Sequence, residues 1–197
     1  MMKKSSRKSM RYYSTNHNSE PVDFKTALLR GLASAGGLYM PESFPEKGKT
    51  FTETLGHFTD IPKTDLKKIV EESFNFPVPL KKIFGEIHVL ELFHGPTLSF
   101  KDFGARFMAR AINYFLERKK EKLTILVATS GDTGGAVASG FYGLSNIRVF
   151  VFYPSGRISD FQEKQIAALG GNITAVEVIG DFDDCQRLVK EALSDEE

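Results

Sequence analysis

The chain has 197 residues, 41% of them hydrophobic and 26% charged, the composition of a globular protein of one domain or of one domain with a small extension. A formal net charge of +1 gives no electrostatic reason to expect a nucleic acid or a membrane surface as partner, and no apolar run approaches the roughly 18 residues of a membrane span. The single cysteine, Cys185, excludes an intrachain disulfide framework and suits a reducing, cytoplasmic compartment.

Residues 1–11 are basic, Ser-rich and free of acid. No apolar stretch follows, which excludes a secretory signal. The segment reads as a disordered basic tail, with an organelle transit segment as the alternative. Residues 23–30 predict a short helix: Phe24, Ala27 and Leu28 share a face, and Gly31 stands where a terminating glycine belongs. Gly36, Gly37 and Pro41 mark a turn. Residues 42–61 are polar, contain Pro45, Gly48 and Gly56, and read as loop. Residues 63–74 predict a helix with Leu66, Ile69, Val70 and Phe74 as its apolar stripe. Pro77 and Pro79 then mark a linker. Residues 12–80 are thus expected to form a small, mostly helical N-terminal domain.

The pattern changes over 81–197. Strands are expected at 87–93, 123–128, 148–153 and 173–179, and helices at 104–117, 133–142, 159–169 and 181–193. Strands apolar on both faces that alternate with helices argue for an α/β domain, a parallel sheet with helices on both faces. Four strands with three crossover helices are a small version of that architecture, so the sequence is expected to be part of a longer fold.

In open α/β sheets, ligands bind outside the carboxyl ends of the strands. Three loops are expected there, at 95–102, 129–133 and 154–159. The first carries Lys101 between Phe100 and Phe103. A lysine among apolar groups has its charged form disfavoured, which makes the amine a nucleophile for Schiff-base chemistry with a carbonyl compound or with pyridoxal phosphate. The plain alternative is a solvated lysine at a helix start. The second loop, T-S-G-D-T-G-G, offers Ser130, Gly131, Thr133 and Gly134 at a helix N-terminus, an arrangement suited to an anion. It matches neither nucleotide fingerprint, G-x-x-x-x-G-K-[ST] or G-x-G-x-x-G. Its alternative is a tight turn with Thr or Asp as cap. In the third loop Ser155, Arg157 and Ser159 are candidate anion contacts, but Pro-Ser-Gly is also an ordinary turn. His94 is a candidate base or a ring placed against a ligand. His17, His57 and His88 form no metal constellation, and Cys185 falls on an apolar helix face.

The run E-L-F-H-G-P-T-L-S-F-K-D-F-G-A-R-F-M, followed by V-A-T-S-G-D-T-G-G-A-V-A and by V-F-Y-P-S-G-R-I-S-x-x-Q-E-K-Q, closely resembles the threonine synthases. These are pyridoxal-phosphate enzymes of the tryptophan-synthase-β (fold type II) superfamily. Y-Y-S-T-N and G-L-A-S-A-G-G-L-Y-M-P resemble that family's N-terminal domain. The resemblance implies a fold type II catalytic domain, present in part over 81–197. It implies conversion of O-phospho-L-homoserine and water to L-threonine and phosphate. It further implies that Lys101 is the lysine joined to pyridoxal phosphate and a proton shuttle. Ser130, Gly131, Thr133 and Gly134 would hold the substrate's α-carboxylate, with Asp132 near the cofactor ring and Ser155 and Arg157 toward the substrate phosphate. Family members are longer than this chain. By the family's pattern, the glycine-asparagine loop for the cofactor phosphate and the residue facing the pyridine nitrogen lie outside it. Residues 42–61 are shorter than the family's corresponding region, which normally holds an extra helix. A related phospholyase, a hydroxy-amino-acid dehydratase and a catalytically inert folding or interaction unit stand as alternatives.

Overall fold

The computed structural model describes residues 9–34 and 36–194. Residues 1–8 of the expected basic tail lie outside the described residues. The chain divides into two units, residues 1–72 and 73–197. Among the described residues, no helix is long and apolar enough to cross a membrane.

In the first unit, β1 (Tyr12–Ser14) pairs antiparallel with β2 (Tyr39–Pro41). Between them runs α1 (Phe24–Arg30), capped by the Asp23 carboxylate, which accepts from Thr26 N at 2.7 Å. It stops at Gly31, whose φ of 71° suits glycine. The loop expected over 42–61 contains a helix, α2 (Phe51–Leu55). Thr50 Oγ1 caps it by accepting from Glu53 N at 3.1 Å. Five residues are too few to show a 3.6-residue period. α3 (Lys63–Ser73) buries Leu66, Ile69 and Val70 of the stripe read from the sequence, while Phe74 falls just past its end and is half-buried.

In the second unit, β3 (Leu80–Phe84) and β4 (Ile87–Leu90) form an antiparallel hairpin. It is turned at Gly85, where φ is 51°. The strand expected at 87–93 is therefore shorter, and it belongs to this hairpin and not to the parallel sheet. After α4 (Lys101–Lys119) come β5 (Leu123–Ala128), α5 (Asp132–Phe141), β6 (Ile147–Pro154), α6 (Asp160–Ala167), β7 (Ile173–Val178) and α7 (Phe182–Ser194). The parallel sheet has the order β5-β6-β7, three strands where four were expected.

The core lies around β6. Its Ile147, Val149 and Val151 are fully buried. Val151 faces α5, since a Cβ on Gly134 would stand 2.9 Å from Val151 Cγ1. α5 and α6 cover that face, and α7 packs across β5 and β6 from the other, with Cys185 buried. Helices thus cover both faces of an α/β parallel sheet. α4 lies against α5, and the approach is close because Gly140 has no side chain: a Cβ there would meet the Ala105 carbonyl at 3.1 Å.

Candidate active site around Lys101

Lys101 is the first residue of α4, half-buried, and not a loop residue. The helix begins three residues before the expected 104 because the preceding turn is pinned from inside. Leu98 N donates to Gly95 O at 3.1 Å, and Leu98 takes a φ of 60° to close the turn. The Asp102 carboxylate is fully buried under it. Oδ2 accepts from Thr97 N at 2.9 Å and Oδ1 from Thr97 Oγ1 at 2.8 Å. A Cβ on Gly95 would stand 2.4 Å from Asp102 Oδ2, so the turn needs glycine there. One helical turn on, buried Arg106 donates from Nε to Ser73 O at 2.8 Å and from Nη2 to Asn75 Oδ1 at 2.9 Å. Asp102 and Arg106 fix the start of α4, and sequence reasoning missed both. The available signal was an acid and an arginine at i, i+4 inside an apolar run, a pattern that needs buried partners.

The Lys101 amine lies 4.9 Å from the centroid of the Phe100 ring and makes no ion pair among the described residues. The residue lines a cavity of ≈ 380 Å³ whose walls also include Phe103, Gly104, Met108, Thr133 and Ala136. His94 pairs with Glu91, its Nε2 2.7 Å from Glu91 Oε2.

The loop after β5 is built around Thr129, which is buried. Its Oγ1 accepts from Gly131 N at 3.0 Å and from Gly134 N at 2.8 Å. The two glycines expected to offer N–H groups to an anion therefore spend them internally. The N–H groups of Asp132 and Thr133 take no partner among the described residues. Gly131 has a φ of 135°, and a Cβ on Gly134 would stand 2.4 Å from Thr129 Cγ2. Both positions demand glycine for shape. Ser130 is exposed, and Asp132 Oδ1 accepts from Gln162 Nε2 at 2.7 Å.

In the third loop, Ser159 caps α6. Ser155 Oγ donates to Glu177 Oε1 at 2.5 Å. Arg157 is exposed. It contributes to holding the Asp184 carboxyl below its usual range, an effect due first to the Asp181 N–H and next to Arg187. Lys101 and Thr133 thus share one cavity, and Gly131, Asp132 and Gly134 flank Thr133 at the start of α5. Ser155 is engaged by Glu177, and Arg157 stands exposed on the third loop. Among the described residues no group of His, Cys, Asp and Glu could hold a metal ion.

A profile described as "Pyridoxal-phosphate dependent enzyme" matches residues 76–197, and one described as "Threonine synthase N terminus" matches residues 11–74. The threonine synthase of Buchnera aphidicola subsp. Acyrthosiphon pisum is 48% identical, over 94% of this chain and 47% of its own length. That of Haemophilus influenzae is 46% identical, over 95% and 47%. Among solved structures, PLP-bound threonine synthase from Brucella melitensis superposes with a TM-score of 0.87 at 40% identity, over 95% of this chain and 45% of that one. The Escherichia coli enzyme superposes with a TM-score of 0.80 at 43% identity, over 95% and 47%. The chain spans about half the length of the curated relatives it matches. The residues present fit the carbonyl end of pyridoxal phosphate, since Lys101, whose amine makes no ion pair among the described residues, lines a largely apolar cavity with a hydroxyl residue on its wall. On its profiles and its fold alike, the chain belongs to the pyridoxal-phosphate-dependent enzyme family, among the threonine synthases.

Proposed function

We propose that the chain serves threonine synthesis, the conversion of O-phospho-L-homoserine and water to L-threonine and phosphate, with Lys101 as the residue that holds pyridoxal phosphate. The observation that carries this reading is Lys101 on the wall of an apolar cavity shared with Thr133. In this reading residues 12–80 are the N-terminal domain and 81–197 the catalytic portion, and the setting is cytoplasmic, in keeping with a single buried thiol.

When bound, the cofactor supplies an electron sink that stabilises a carbanion on the substrate. Lys101 Nζ is the group that takes a proton from one substrate carbon and returns it to another. The side chains of Phe103, Met108 and Ala136 give the cavity beside Lys101 an apolar wall. The hydroxyls of Ser130 and Thr133 and the free N–H groups of Asp132 and Thr133 bind the substrate's α-carboxylate at the start of α5, where the helix dipole favours an anion. Gly131 and Gly134 give that loop its shape. Asp132 is assigned to the cofactor side, and Ser155 and Arg157 to the substrate phosphate, for which Ser155 would exchange its bond to Glu177.

The test is to incubate the chain with pyridoxal phosphate, fix it with borohydride and map the labelled peptides by mass spectrometry. Label concentrates at Lys101 and is absent from that peptide in Lys101→Ala. Turnover of O-phospho-L-homoserine yields phosphate and threonine in equal amounts. Formation of 2-oxobutyrate without threonine assigns a dehydratase instead. A chain that takes no label at Lys101 above its other lysines is an inert folding or interaction unit, and the proposal falls.

A further inference from the structure

Two glutamines on α6 have no part in the roles above. Gln162 and Gln165 stand at i and i+3, so their side chains share one face of the helix. The oxygen end of Gln162 is occupied: Oε1 accepts from Ser159 N and from Ser159 Oγ, each at 3.1 Å, as part of a capping box. That orients its NH2 end the other way, where Nε2 donates to Asp132 Oδ1 at 2.7 Å. Gln165 Nε2 donates to Thr97 O at 3.2 Å. Thr97 is buried, and its own N–H and hydroxyl both go to Asp102, the residue after Lys101.

Each glutamine also lies against bare backbone. A Cβ on Gly131 would stand 2.4 Å from Gln162 Nε2, and one on Gly135 would stand 2.9 Å from Gln165 Oε1. The turn ahead of Lys101 follows the hairpin, whereas the Gly131 loop follows β5, so the chain does not join them directly. One turn of α6 grips both.

We propose that Gln162 and Gln165 are positioning residues that set the place of the Lys101 turn relative to the Gly131–Thr133 loop. The inference rests on reading Lys101 as the reactive amine and the loop as the anion site. Gln165 acts through Thr97 and Asp102 on the root of the lysine. Gln162 acts through Asp132 on the loop.

The test uses the full chain and two variants. Gln165→Met keeps the length of the side chain and removes the donor. Gln162→Glu keeps the acceptor that caps α6 and sets a carboxylate against Asp132. Hydrogen exchange followed by mass spectrometry reads each loop. Gln165→Met is expected to speed exchange over residues 95–99 about fivefold, the equivalent of one hydrogen bond, with β6 unchanged. Gln162→Glu does the same over residues 130–133. Borohydride fixation of pyridoxal phosphate gives the readout that a merely structural role would not move. The share of label on Lys101 relative to the other lysines falls about fivefold or more in Gln165→Met, since a displaced amine reacts out of register. Unchanged exchange in both loops overturns the proposal, as does an unchanged Lys101 share in a chain that labels there. Where the unsubstituted chain shows no preference for Lys101, the reading of that lysine fails and exchange alone decides the glutamine link.

Discussion

At the scale of single residues, the turn ahead of Lys101 is held by a buried carboxylate. Asp102 receives two hydrogen bonds from Thr97 and has no solvent contact. Asp102→Ala leaves a buried N–H and hydroxyl without an acceptor, and the expected loss is about 3 kcal/mol in urea unfolding of the chain. Asp102→Asn retains one acceptor and is expected to lose about half of that. Lys101 drew notice in the sequence as an amine beside Phe100 and Phe103 in a run that resembles the threonine synthases. Asp102 stands between the same rings and did not, because its partner is a threonine five residues back that reaches it only once the turn has closed. Tyr12 offers a pH test in the first unit. Burial first, and the nearby Asp60 second, push its hydroxyl up to about 12, and the hydroxyl donates to Phe58 O at 2.5 Å. A group whose folded pKa lies above its unfolded value of about 10 contributes stability that is complete below pH 10. That stability is lost as the pH rises through 12. Equilibrium unfolding should therefore show a decline over this window, and Tyr12→Phe should remove it.

At the scale of elements, the loop after β5 is organised by Thr129, and its glycines are spacers around that residue. Thr129→Val keeps the shape but removes the acceptor for two buried N–H groups, at an expected cost of about 2 kcal/mol in thermal or urea unfolding. Thr129→Ser keeps the acceptor and should recover most of the loss. Gly134→Ala would force its Cβ into Thr129 Cγ2 and Val151 Cγ1 and should cost about 1–3 kcal/mol. The strands from Leu123 to Val178 were readable as apolar runs and α7 by its strong 3.6-residue pattern, whereas α5 was readable as a run of small residues and α6 by the Ser159 cap ahead of it. The hairpin was not. Its first strand carries Lys81 and Lys82 side by side, and its second was read as a sheet strand, since a local apolar run does not say which strand it pairs with. α2 had a signal, Thr50 three residues before Glu53, but it has only five residues. In the segment after β5 the sequence placed glycines at a helix start, yet only the fold shows that Thr129 consumes their N–H groups.

At the scale of the molecule, the apolar surface left uncovered predicts behaviour in solution. The hairpin exposes Leu80, Ile83, Phe84, Ile87, Val89 and Leu90, with Leu80 at 64% and Phe84 at 66% of full accessibility. A two-stranded hairpin without a covering layer is marginal in water, and a contiguous apolar patch on it favours association. The edges of the three-stranded sheet, β5 and β7, add unpaired backbone groups that can template pairing. The net charge of +1 supplies little repulsion against either. The chain should therefore elute ahead of a 22.0 kDa monomer in size-exclusion chromatography, increasingly so with concentration. Leu80 and Leu90 face each other across the hairpin. The double substitution Leu80→Lys with Leu90→Glu places opposite charges at that pair, so the hairpin keeps a cross-strand attraction while its apolar patch shrinks. It should move elution toward the monomer and leave the far-ultraviolet circular dichroism unchanged. A concentration-independent monomer from the unsubstituted chain would show that these residues are covered in solution by contacts the fold does not reveal. An unshifted double variant would place the association at the sheet edges, where lysines set into β5 or β7 become the next test.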